Sequence, residues 1–314
     1  MNLTLNQRAM RVADRIAGDA VALGVAVHHV AGATVVDCGV KAPGGIQVGL
    51  EMARTCLADL GDVALVPGDA SSLGLPRIQI ATDQPAQACM ASQYAGWAIK
   101  VGKYFAMGSG PMRAAYGKEE LFDHLPFREK PPVAVGVLET GKLPTDEVVN
   151  YLSEKLQLPP RQLMLLAAAT KSLAGTVQVV ARSLEMALHK LHELKFDFKH
   201  VVSGFASAPL PPPATDDLAA IGRTNDAILY GGSAIVWVDA DDDALAEVGP
   251  KVPSNSSSEY GSLFGELFAK YKDFYKIDPL LFSPAEIKFC NTRSGRVHSF
   301  GQLNPDLLRR SFGC

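Results

Sequence analysis

L-M-L-L-A-A-A-T-K-S-L-A-G-T-V-Q-V-V-A-R-S-L-E-M-A-L-H-K-L-H-E-L, running from Leu163 to Leu194, carries the architecture of the chain in one passage. Leu163 to Ala169 is apolar without alternation, the pattern of a strand buried on both faces. It delivers the chain to Lys171, and from Ala174 the period becomes that of a helix. At about 100° per residue, Val177, Val180, Leu184, Leu188 and Leu191 fall on one face as a core stripe. Gln178, Arg182, Glu185 and His189 fall together on the opposite face, at spacings of four, three and four. A buried strand followed by a crossover helix is the building unit of an α/β fold. The polar stripe has two readings. Arg and Glu three apart usually form a solvated pair contributing roughly a few tenths of a kcal/mol, but the same four groups suit the wall of a cleft.

Working outward, Thr4 or Asn6 starts a helix that reaches about Leu23. Val25 to Val30 and Thr34 to Val40 read as a hairpin around Gly32, with β-branched residues on both sides of the turn. Gly44-Gly45 opens a helix through about Ala58, strands follow at Val63 to Val66 and Arg77 to Ala81, and Pro85 starts another helix. Trp97 to Tyr104 reads as a strand entering a glycine-rich segment. Pro132 to Leu138 is a strand, and Thr145 to Leu156 a helix whose first residues suit an N-terminus. Helices near Asp216 to Ala227 and Glu259 to Tyr275, and strands near Ala234 to Val238 and Ile287 to Asn291, complete the pattern. Hairpins and crossovers together predict an α/β fold with mixed sheets, not a simple doubly wound one. The basic, proline-containing segment Pro126 to Pro132 is the expected boundary between an N-terminal domain, 1–127, and a C-terminal domain, 128–314, whose last segment can return to the first domain. Pro209 to Pro213 reads as an extended loop and a second break.

The composition, 47% hydrophobic and 20% charged over 314 residues, is that of a globular protein. A net charge of −3 leaves no electrostatic footprint for nucleic acid or an anionic membrane. The acidic run Asp239 to Asp243 suits a helix cap or a loop. Cys38, Cys56, Cys89, Cys290 and Cys314 are scattered, with no C-x-x-C pair, so reduced thiols are expected. The first fifteen residues lack the apolar core of a signal peptide. No apolar run of about 18 residues suggests a membrane span, and a cytoplasmic location is expected.

Several segments could carry chemistry. Gly108-Ser109-Gly110-Pro111, followed by Arg113, forms a glycine-rich turn where backbone N–H groups could approach an anion and Arg113 could pair with it. It has neither G-K-[ST] nor G-x-G-x-x-G, and a plain tight turn accounts for it equally. Thr82-Asp83 lies at a strand end, where α/β proteins place ligand groups and where a helix cap is also expected. Gly222 to Gly232 holds Arg223, Asn225, Asp226 and Tyr230 in what reads as a helix with a glycine cap. His28-His29 point to opposite faces of a strand. His189 and His192 lack an H-E-x-x-H partner, so no metal site is expected. No G-x-S-x-G marks a serine nucleophile, and Cys38 in V-D-C-G-V reads as packing.

Taken together, T-V-V-D-C-G-V-K-A-P-G-G from Thr34, T-D-Q-P-A from Thr82 and G-K-Y-F-A-M-G-S-G-P-M-R from Gly102 resemble the methenyltetrahydromethanopterin cyclohydrolase family. The likeness continues through A-G-T-V-Q-V-V-A-R-S-L-E-M-A-L-H-K-L from Ala174, G-R-T-N-D-A-I-L-Y-G-G from Gly222 and D-F-Y-K-I-D-P-L-L-F-S-P-A from Asp273. The resemblance implies an α/β subunit of two domains with a deep cleft between them, assembled as a homo-oligomer, a trimer or dimer. It implies hydrolysis of the methenyl bridge of 5,10-methenyltetrahydromethanopterin to the 5-formyl product, without metal or redox cofactor, in the formaldehyde oxidation of a methylotrophic bacterium. By the A-R-x-x-E match it implies Arg182 and Glu185 as the catalytic pair, and makes Gly108, Ser109 and Gly110 a pocket or anion-binding loop. Gln178, His189, Thr82, Asp83 and Arg113 are the further candidates for substrate binding. The same Arg–Glu chemistry would serve a methenyl-tetrahydrofolate or other pterin cyclohydrolase. The glycine turn with Arg113 would serve a non-catalytic pterin- or phosphate-binding protein. Both alternatives stand at this point, and a purely structural protein fits the glycine-flanked polar clusters poorly.

Overall fold

The computed structural model describes residues 3–125, 127–272 and 276–314, so the expectations placed on Pro126 and on Asp273 to Tyr275 lie outside the described residues. In chain order the strands are β1 (Ala26–Val30), β2 (Ala33–Gly39), β3 (Asp62–Val66), β4 (Arg77–Thr82), β5 (Trp97–Val101), β6 (Tyr104–Ser109), β7 (Ala134–Glu139), β8 (Leu163–Ala168), β9 (Val201–Pro209), β10 (Ser233–Val238), β11 (Glu286–Asn291) and β12 (Val297–Gly301). They form two six-stranded mixed sheets, ordered β1-β2-β8-β7-β6-β5 and β12-β11-β10-β9-β4-β3. The mixed α/β class expected from the sequence is the one observed. Among the described residues no helix is long and apolar enough to cross a membrane.

Each sheet belongs to its own compact unit. The first unit is Met1–Gly61 with Gln87–Val179, and the second is Asp62–Ala86 with Val180–Cys314. A division at 127/128 therefore falls inside the first unit. The chain leaves β6 at Ser109 and returns to pair β7 against it, Ser109 opposite Val137, so the described residues 127–132 lie between two paired strands of one sheet. The β3–β4 hairpin joins the other sheet because β4 pairs with β9, Thr82 opposite Gly204. Strand partners so distant along the chain leave no local trace in composition.

In the first unit, β8 pairs in parallel with β2 on one side and β7 on the other. Its residues alternate between two cores. Leu163, Leu165 and Ala167 join Val148, Val149 and Leu152 of the helix Asp146–Leu156. Met164, Leu166 and Ala168 join Ala9, Val12, Ala13 and Ile16 of the helix Leu5–Gly18 and Val48 and Met52 of the helix Ile46–Cys56. Helices on both faces explain the unbroken apolar run. The first helix starts where a capping box forms between Thr4 and Gln7. The β1–β2 hairpin turns at Ala31 and Gly32, both with positive φ, 46° and 91°, as a two-residue hairpin loop requires.

The single strand expected over Trp97 to Tyr104 is a hairpin, β5 and β6, that turns at Gly102, whose φ is 56°. The helix expected after Pro85 is a π-helix, Ala86–Gln93, with the Tyr94 N–H on the Cys89 carbonyl at 2.8 Å.

In the second unit burial alternates along β9, β10 and β11, buried Gly204, Ala206 and Ala208 interleaving with half-buried Ser203, Phe205 and Ser207. This is the period of a sheet with one covered face. The helix Ser183–Glu193 lies on the covered face: a Cβ on Gly204 would come within 2.8 Å of Leu184 Cδ2. Pro209 is not loop but the last residue of β9, opposite Arg77 of β4. The helix expected from Glu259 starts later, at Phe264. β12 and the helix Pro305–Phe312, capped by Asn304, are additional to the sequence reading.

Candidate active site

The segment from Ala174 to Leu194 is not one helix. Leu173–Val180 and Ser183–Glu193 are separate helices, with Arg182 at φ −89° and ψ 4° as the N-cap of the second. The Met186 N–H bonds the Arg182 carbonyl at 2.9 Å and restarts the ladder. Val177, Val179 and Val180 before the break are stiff at χ1 and poor helix formers. The core stripe survives the interruption, since Val177, Val180, Leu184, Leu188 and Leu191 are all fully buried. The polar stripe does not survive as one face. Gln178 belongs to the first unit, whose segment ends at Val179, while Arg182, Glu185 and His189 belong to the second unit. Gln178 lies on the helix before the break and the other three on or at the start of the helix after it, so helical periodicity does not align them.

Arg182 and Glu185 are 6% and 4% exposed, which removes the solvated-pair reading. They occupy the N-cap and the first turn of the same helix. Arg182 and Glu185 are therefore separated by a single turn of chain at the start of this helix. An acidic residue in a first turn also complements the helix dipole. His189, half-buried one turn on, has Nε2 3.8 Å from Glu193 Oε1. Gln178 is 1% exposed.

Thr82 and Asp83 end β4 in the same unit as the Arg182–Glu185 helix. Thr82 is buried and its Oγ1 accepts the Gln84 N–H at 3.0 Å, while Asp83 is exposed and Oδ1 accepts from Ser203 Oγ at 2.7 Å. Thr82 is paired with Gly204, the residue beneath Leu184.

The glycine turn in the first unit is committed to structure. Gly108 is part of β6, where a Cβ would come within 2.8 Å of Ile99 and Met112. Ser109 Oγ donates to the Val137 carbonyl at 3.3 Å, and the Gly110 N–H donates to the Ser92 carbonyl at 2.9 Å. Arg113 is fully buried, and its Nε and Nη1 donate to Glu119 Oε1 at 2.9 Å and to the Met90 carbonyl at 3.0 Å, with Nη2 also on Glu119. Tyr94 and Phe122 hold its guanidinium between their rings, with centroids at 4.8 and 5.5 Å. The expected role of Arg113 as an anion partner is corrected: its fork is filled by the protein. The N–H of Gly110 is likewise spoken for.

Other buried or paired polar groups have structural roles that the sequence reading did not assign. Asp37, fully buried, accepts the N–H groups of Gly39, Val40, Lys41 and Ala42 at 2.7–3.1 Å, fixing the loop after β2. The available signal was an aspartate inside an apolar strand, next to glycine. Burial and Asp37 push the Cys38 thiol far up, which makes it inert packing. Asp226 lies on the buried face of the helix Asp217–Gly231 and accepts from the Phe264 N–H at 2.9 Å and Ser311 Oγ at 2.6 Å. Burial pushes its carboxyl up to about 7, against those hydrogen bonds. Lys190 donates to Ser256 Oγ and the Leu280 carbonyl, and burial lowers its amine to about 8. The acidic run Asp239 to Asp243 does start a helix, Asp242–Val248, and Asp242 is held down to about 2 by His298 and Asn291. Among the described residues no three His, Cys, Asp or Glu side chains gather as a metal would require.

The family described as "Cyclohydrolase (MCH)" matches residues 4–312. A methenyltetrahydromethanopterin cyclohydrolase from Rhodopirellula baltica is 47% identical over 90% of this chain and 87% of its own length. One from Methylobacillus flagellatus is 43% identical over 99% and 95%. One from Methanococcoides burtonii is 41% identical over 90% and 89%.

Proposed function

The chain belongs to the cyclohydrolase (MCH) family, and from that membership we propose that it hydrolyses 5,10-methenyltetrahydromethanopterin to 5-formyltetrahydromethanopterin. It is a hydrolase of one-carbon metabolism. The observation that supports placing the chemistry at Arg182 and Glu185 is their joint burial at the start of one helix.

The reacting carbon bridges two nitrogens and carries delocalised positive charge. It is already electrophilic, so the proposal needs no metal or redox cofactor. What the reaction lacks is a strong nucleophile. Glu185 takes a proton from a water as its oxygen bonds to the bridge carbon. If Glu185 only stabilised the cation before attack, that interaction would oppose rate, so its contribution must grow as the proton moves. Arg182 orients the carboxylate or polarises the developing oxygen through its planar fork. The tetrahedral adduct then collapses. The C–N bond to the nitrogen opposite the 5-position breaks, its electron pair stays on that nitrogen and takes the proton from Glu185, while the adduct's hydroxyl becomes the formyl carbonyl and releases its proton to solvent. The formyl group is left on the 5-nitrogen.

Supported only by the resemblance, and proposed on that basis, are assembly into a homo-oligomer (trimer or dimer), a cytoplasmic location and a role in formaldehyde oxidation. Thr82, Asp83 and His189 remain proposed substrate-binding residues, Thr82 opposite the glycine that lies against Leu184 and His189 on the Glu185 helix itself. The test is an assay of the purified chain with the methenyl forms of tetrahydromethanopterin and tetrahydrofolate side by side, following loss of the methenyl chromophore. Turnover of the methanopterin form with much slower or no turnover of the folate form is expected. Preference for the folate form, or binding of both without turnover, overturns the reading.

A further inference from the structure

Hydrolysis of a methenyl cation releases a proton. The bridge of the substrate is positively charged, the formyl group of the product is neutral, and water is the other reactant, so charge balance sends one proton out in each turnover. It comes from the hydroxyl of the adduct, once Glu185 has given the first proton to the departing nitrogen. It therefore starts beside a carboxylate that is 4% exposed. The helix Ser183–Glu193 carries further ionisable groups at the spacing that leads outward. Glu185, His189 and Glu193 stand at i, i+4 and i+8, neighbours along one face with Cβ atoms about 5–6 Å apart at each step. Exposure rises along this row: Glu185 is buried, the His189 side chain is 20% exposed and that of Glu193 37%. His189 Nε2 lies 3.8 Å from Glu193 Oε1, within ion-pair range. The helix dipole favours negative charge in the first turn and positive charge near the last, so its field drives a proton in the same outward direction.

Imidazole suits the middle position. It is the side chain whose ordinary titration falls near neutrality, roughly between pH 5 and 8, and it accepts a proton on one ring nitrogen while releasing one from the other. The neighbouring positions are committed elsewhere: Leu188 and Leu191 to the core, Lys190 to Ser256 and the Leu280 carbonyl, and His192 to a stack on Phe198. We propose that His189 carries the released proton from Glu185 to Glu193 and solvent. As the C–N bond breaks, the electron pair of the adduct's O–H bond becomes the second bond of the formyl carbonyl. The proton passes to the Glu185 carboxylate, then to His189, which gives one up by way of Glu193 to water. Glu185 and His189 both end as they began. This rests on the cyclohydrolase reading above.

The experiment measures kcat and KM of the full-length enzyme for 5,10-methenyltetrahydromethanopterin against imidazole concentration, at constant pH and ionic strength and after subtraction of the rate without enzyme. In dilute buffer His189→Ala lowers kcat about tenfold, less than loss of the general base itself because water remains a slower exit, while KM stays near wild type. Added imidazole returns kcat toward wild type in that variant and leaves the wild-type enzyme unchanged. Glu193→Gln lowers kcat in the same direction by a smaller factor. A wild-type kcat in His189→Ala, a loss that imidazole does not restore, or a rise in KM alone, as a binding contact would give, overturns the proposal. Should His189→Ala fail to fold, His189→Gln fills the space without a titrating nitrogen, and the same loss of kcat at unchanged KM is required of it. An inactive wild-type chain overturns the cyclohydrolase reading and the relay with it, whereas an active wild type with variants that imidazole does not rescue overturns the relay alone.

Discussion

Arg182 takes its position from a backbone departure of one residue: ψ opens to 4°, the first helix stops and the second begins with Glu185 in its first turn. Arg182→Lys keeps the charge and loses the planar fork. It is expected to lower kcat while leaving urea stability near wild type; a wild-type kcat would mean that charge alone suffices. Arg113 illustrates the opposite case. Its guanidinium is fully buried against Glu119, the Met90 carbonyl and two aromatic rings. Arg113→Ala is expected to destabilise the chain by about 3 kcal/mol in urea unfolding, the scale for breaking a buried pair. A rise in KM with unchanged stability would return Arg113 to the binding site. Both arginines look alike in sequence, each near small residues and a turn. The Arg–Glu spacing of the matching motif singled out Arg182. Nothing near Arg113 disclosed that Glu119 and the Met90 carbonyl fill its fork.

Elements were legible where one period persists and illegible where it changes. The unbroken apolar run of β8 and the β-branched β1–β2 hairpin were readable, because burial on two faces and a glycine turn write directly into residue choice. The break at Arg182 was not, since neither glycine nor proline marks it. β12, with an exposed Val297 at the sheet edge, has too little buried surface to leave a pattern. Helix contacts were equally hidden, and Asp226 shows their consequence. It bonds the start of the helix Phe264–Tyr271 and Ser311 of the helix Pro305–Phe312. Its carboxyl rises from 3.8 to about 7, so the folded chain binds this proton more tightly than the unfolded chain. Between those values the native state holds more proton, and stability falls as pH rises through the window. Asp226→Asn is expected to flatten that slope, raising Tm at about pH 8 relative to wild type more than at about pH 5. Parallel Tm profiles for the two proteins would contradict the assignment.

At the scale of the molecule, sequence composition suggested two consecutive domains, whereas each unit is assembled from two stretches of chain. Pairing of β4 with β9, and of β2 with β8, joins segments that composition treats as unrelated. The α/β class and the family were nonetheless readable, because long motifs run through nearly the whole chain and the family match spans residues 4–312. The proposed link between this architecture and hydrolysis is the buried carboxylate of Glu185, and its loss is the most direct test. In Glu185→Gln, kcat for 5,10-methenyltetrahydromethanopterin at saturating substrate is predicted to fall at least about a hundredfold, the scale of general base catalysis, with fold and substrate binding retained. Turnover within a few-fold of wild type in that variant would contradict the account.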